Sequence, residues 1–121
     1  MDDRCRQKHW PRWRPEGGTR LAPDLVIPET LNAFCKLRRA GRVVPDRAHI
    51  LRLLDNVRIV PSRPHAARAD ELAESLEHPV YDCLYLALAE AEADVLITTD
   101  AAFERKARAR GFGKSVRLGS L

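Results

Sequence analysis

Between residues 80 and 98 two apolar segments follow one another, and together they leave few folds open to the chain. Val80 to Ala93 has the length of a helix and is apolar over most of its circumference, so it must be covered on more than one side. Val95-Leu96-Ile97-Thr98 is apolar and β-branched without alternation, as a strand covered on both faces should be. A covered strand directly behind a covered helix belongs to a parallel sheet flanked by helices. The flanking sequence agrees. Leu25-Val26-Ile27 is a short β-like run ended by Pro28. Glu29 to Ala40 reads as a helix with Leu31, Phe34 and Cys35 on one face and Gly41 as its stop. Pro45-Asp46 opens a second helix, and Val57 to Val60 alternates as a short strand. His65 to Leu76 forms a third helix, Ala101 to Arg110 a basic one, and Ser115 to Leu118 a last strand. The expected class is α/β.

The chain has 121 residues, enough for one ordinary domain. With 45% hydrophobic and 31% charged residues, wholesale disorder is excluded. The run Cys83 to Ala89 is the longest without charge, far short of the ~20 residues a membrane span needs. No apolar leader core follows Met1. Cys5, Cys35 and Cys83 are odd in number and widely spaced, giving neither a disulfide framework nor a metal motif. A reducing, cytoplasmic setting is therefore expected. The net charge of +4 is unevenly spread. Residues 1–20 carry six basic against three acidic groups, residues 21–100 nine against thirteen, and residues 101–121 six against one. Residues 1–20 also hold both tryptophans, with Pro11, Pro15 and Gly17-Gly18 interrupting any regular period. They read as an irregular basic segment outside the core, with the domain proper spanning 21–121.

Parallel sheets bind ligands at the carboxyl ends of their strands. Asp100 falls just past the Leu96 to Thr98 strand, and Asp82 falls in the first turn of the helix before it. Glu29 opens a helix after a β-like run, with Asn32 one turn further on. Two of the acids have a plain structural use, Asp82 as a helix-start acid and Asp100 as an N-cap, whereas Glu29 is harder to dismiss. Gathered at one point, however, the three would repel unless protonated or bridged by a divalent cation. Oxygen ligands without His or Cys favour Mg²⁺ or Mn²⁺. Beside basic residues, such a cluster suits metal-assisted phosphodiester hydrolysis. Arg105, Lys106, Arg108 and Arg110 are the candidates for steering RNA toward it.

Three segments in order, Pro28-Glu29-Thr30-Leu31-Asn32, Val80-Tyr81-Asp82 through Ala89, and Leu96-Ile97-Thr98-Thr99-Asp100, resemble the acidic motifs of PIN-domain proteins. The likeness is strongest to VapC-type toxins of toxin–antitoxin pairs, and it covers about residues 21–118. The resemblance implies a Rossmann-like parallel sheet and a metal-dependent ribonuclease. It also implies a homodimer and a cognate VapB-like antitoxin. Asp82 would then be a direct metal ligand, Glu29 and Asp100 would complete the cluster, and Asn32 and Thr98 would be polar helpers. His78 would merely precede its helix.

One motif of that family has no counterpart. Its first acid ends a central strand in a Val-x-Asp-(Ala/Thr)-Ser-like segment, and residues 1–20 contain none, so the first strand is expected to be missing. Activity is correspondingly in question, and an inactive remnant that binds antitoxin or RNA is the alternative. A small nucleotide-binding module is disfavoured because no glycine-rich loop follows a strand.

Overall fold

The computed structural model describes residues 19–93, 95–113 and 115–119. Strand β1 (Arg20–Pro23) leads into helix α1 (Val26–Arg39), and helix α2 (Arg47–Arg52) precedes strand β2 (Val57–Val60). A single 3-10 turn at Arg63–His65 then enters helix α3 (Ala66–Leu76), which is followed by helix α4 (Val80–Glu92). Strand β3 (Leu96–Thr98), helix α5 (Ala101–Ala109) and strand β4 (Val116–Leu118) complete the described part. The expectations for residues 1–18, an irregular segment and a missing first strand, lie outside the described residues. Arg20 at the end of that stretch already belongs to β1.

The run Leu25-Val26-Ile27 is not β-like. It is the N-cap and first two residues of α1, and the strand lies upstream at Arg20–Pro23. Pro28 does not end a strand here. As the third residue of a helix its missing N–H costs nothing, since the first four N–H groups have no intrahelical partner. Glu29 therefore sits in the first turn of a helix already under way.

Both strand pairs are parallel. β1 pairs with β2 in the register Arg20 to Val57 through Pro23 to Val60, and β3 pairs with β4 from Leu96–Val116 to Thr98–Leu118. Among the described residues no strand hydrogen-bonds the two pairs to each other. What joins them is α4, which packs on both β1 and β3. This explains its composition: Cys83, Tyr85, Leu86, Ala87, Leu88 and Ala89 are all buried, so the helix is covered nearly all round. Burial of this helix and of Phe103, Leu72 and Val57 around it provides the main stabilisation.

α3 lies along α4. The Arg68 guanidinium grips Glu90 with Nε and Nη2 at 2.8 and 2.9 Å, which holds the arginine firmly in its charged form. α3 ends where Glu77 takes a left-handed conformation, φ 52°, and the His78 N–H donates back to the Ala73 carbonyl at 3.1 Å. That turn delivers His78 to the start of α4.

Candidate metal centre

Asp100 is fixed by its own helix. Its Oδ1 accepts from the Phe103 N–H at 3.0 Å, capping α5, and its N–H donates to Thr98 Oγ1 at 3.1 Å. Thr98, buried at the end of β3, anchors the Asp100 backbone through its hydroxyl. The other carboxylate oxygen, Oδ2, lies 3.9 Å from His78 Nε2.

Asp82 is the third residue of α4, following a Pro79 N-cap that has no side chain to offer. Its Oδ2 lies 2.7 Å from the same His78 Nε2. One ligand atom from each of His78, Asp82 and Asp100 falls within 4.8 Å of the others. His78 is thus a central member of the cluster, not a residue that merely precedes the helix. Its side chain is 8% exposed and its ring packs on Phe103 with centroids 4.8 Å apart. The signal in the sequence is the spacing of four residues between His78 and Asp82, which sets the two side chains on one side of the helix start.

Glu29 stands apart from this group. Its Oε1 accepts from the Tyr85 hydroxyl at 2.5 Å, and Tyr85 lies one turn beyond Asp82 on α4. The bond ties the start of α1 to the side of α4 near the cluster. Asn32 is exposed on the next turn of α1, lining an open groove with Glu29, Ala33, Lys36 and Leu37.

The candidate RNA-steering residues of α5 divide into three kinds. Lys106 turns inward, its Nζ donating to the Glu77 carbonyl at 2.8 Å and standing 3.3 Å from His78 Nδ1. Arg108 pairs with the buried carboxylate of Glu104. Arg105 and Arg110 remain exposed. A second basic surface went unread in the sequence. Lys36, Arg38, Arg39, Arg42 and Arg47 are exposed at the end of α1 and the start of α2, and they form no ion pair among the described residues.

The carboxylates of Asp82 and Asp100 fit a small divalent cation. Opposite ligands of an octahedral Mg²⁺ stand about 4.2 Å apart, from bonds of about 2.1 Å, so the spread of 4.8 Å closes with small side-chain adjustments. Cys83 contributes no thiolate here. Burial, reinforced by the negative charge of Asp82, pushes its thiol up to about 12.

No curated protein and no solved structure matches the chain. The PIN domain matches residues 4–109, and PIN domains are in general nucleases that use divalent metals. That span covers most of the 121 residues and takes in both aspartates of the cluster as well as Glu29, and the chain therefore belongs to the PIN-domain family.

Proposed function

We propose that the chain is a ribonuclease of the VapC toxin type, hydrolysing RNA with Mg²⁺ or Mn²⁺ held by Asp82 and Asp100 and with Glu29 completing the acidic edge. The observation that carries this reading is the meeting of Asp82 and Asp100, borne by different helices, within 4.8 Å of a common set of ligand atoms. A divalent cation bound there would supply the hydroxide nucleophile and offset charge developing on the phosphate. The protein's own contribution is placement. Thr98 and the α5 cap hold Asp100, and Tyr85 holds Glu29 in the first turn of α1. The groove that begins at Glu29 runs along α1 to Lys36, and Arg38, Arg39 and Arg42 lie beyond it. Exposed cations beside such a groove suit the anionic phosphodiester backbone of RNA.

A VapB-like antitoxin and a second copy of the chain belong to the same reading. Ile27, Leu31 and Leu37 of α1 are exposed apolar side chains for such a partner to cover. A cytoplasmic setting is consistent with the free thiols of Cys35 and Cys83. Among the described residues no helix is long and apolar enough to cross a membrane.

The test is cleavage of RNA by the purified chain with Mg²⁺ or Mn²⁺. Activity should disappear with EDTA and with Asp82→Asn, and cleavage that survives Asp82→Asn would refute the assignment. The alternative, an inactive remnant that binds antitoxin or RNA, draws support from one observation: Glu29 is bonded to Tyr85 and lies outside the cluster. RNA binding without metal-dependent cleavage would select it.

A further inference from the structure

We propose that Lys106 and His78 act as a positioning relay for the Asp82 carboxylate, and that the imidazole orients this ligand without itself binding metal. The inference rests on the reading of Asp82 and Asp100 as metal-binding groups. A lysine ammonium has donors only. Its Nζ stands 2.8 Å from the Glu77 carbonyl and 3.3 Å from His78 Nδ1, so Nδ1 accepts and carries no proton. With Nδ1 accepting, the ring N–H is on Nε2, which lies 2.7 Å from Asp82 Oδ2 and donates to it. The other tautomer would set Nδ1–H against an ammonium and an Nε2 lone pair against a carboxylate. Both contacts are repulsive.

An Nε2 that carries a proton has no lone pair for a cation, although its position among the carboxylates resembles that of a ligand. Its use is to fix the direction in which the Asp82 carboxylate faces. The surroundings suit that purpose. The ring is 8% exposed and held against Phe103, and the left-handed turn at Glu77 fixes both the backbone before it and the carbonyl that anchors Lys106. Asp100 Oδ2, at 3.9 Å, is beyond hydrogen-bond reach of Nε2, so the orientation acts on Asp82.

Two measurements on the full chain test this. Imidazole ¹⁵N NMR of the wild-type protein without metal should show His78 with its proton on Nε2, unchanged by saturating Mg²⁺, and Lys106→Met should weaken that preference, because Asp82 alone then holds the proton on Nε2. In Mn²⁺ calorimetry His78→Leu should weaken affinity about 10- to 100-fold, as loss of an orienting partner does. His78→Gln, whose amide N–H can replace Nε2–H, should recover most of that loss. Mn²⁺ affinity unchanged in His78→Leu would overturn the relay while leaving the metal site standing. An Nε2 resonance that loses its proton when Mg²⁺ binds would also overturn it, making His78 a ligand. An Nδ1–H tautomer in the metal-free protein does the same without any variant having to fold. If the wild-type chain binds no Mn²⁺ at all, the metal reading itself fails and the relay falls with it.

Discussion

Asp100 has two separable duties, and substituting it twice should reverse an order of stability. As the cap of α5 it accepts from the Phe103 N–H, and asparagine can do the same, whereas alanine cannot. Loss of such a cap costs about 1 kcal/mol. As a charge it stands against Asp82, with ligand atoms of the two within 4.8 Å. Two unit charges at that separation repel by about 3.5 kcal/mol at an effective dielectric of about 20. Asp100 is 41% exposed, so screening should reduce this to about 1 kcal/mol or less. In EDTA, Asp100→Asn should therefore be at least as stable as wild type, with Asp100→Ala below both. Mn²⁺ at 100 times its dissociation constant should raise the wild type by about 2.7 kcal/mol. The asparagine variant, which has lost an anionic ligand, should gain less than about 1 kcal/mol and fall below it. Urea unfolding of the three proteins with EDTA and with Mn²⁺ is the assay. Equal losses for the two variants in EDTA would refute the capping role. Equal gains from Mn²⁺ in wild type and Asp100→Asn would refute the ligand role.

Removing the Tyr85 hydroxyl with Tyr85→Phe should cost about 1 kcal/mol, because exposed Glu29 can turn to water. RNA cleavage at saturating Mg²⁺ should slow in that variant, and an unchanged rate would remove Glu29 from the catalytic set. Cys83 should resist iodoacetamide in the native protein at pH 8 and react once urea unfolds it, while half-buried Cys35 reacts sooner. Because burial raises the folded thiol to about 12, its contribution to stability is complete below the unfolded value near 8.5 and is lost as pH rises toward 12. Cys83→Ala should flatten that decline. A wild-type stability curve parallel to the variant's above pH 9 would show that the thiol is not held back.

Residues 80–98 were legible because burial on several sides leaves a composition that no surface helix or half-exposed strand shares. The same logic placed Asp82 and Asp100 at one rim, since a helix start and a strand end face the same way in a parallel α/β arrangement. Leu25-Val26-Ile27 misled because three apolar residues fit either a strand or a first helical turn, and Pro28 is tolerated in both. Lys106 looks like one more cation of a basic helix, alongside Arg105, Arg108 and Arg110. Only the fold brings the carbonyl of Glu77 and the ring of His78 within its reach.

The order of helices and strands, the family and two of the acids follow from the chain alone, since periodicity, caps and covered apolar runs are local properties. Which groups touch does not. His78 joins Asp82 because a left-handed turn at Glu77 aims it there, Glu29 bonds to Tyr85 on α4, far along the chain, and the strands form two pairs linked through α4. Those outcomes depend on contacts between residues distant in sequence, whose directions are set only when the helices pack.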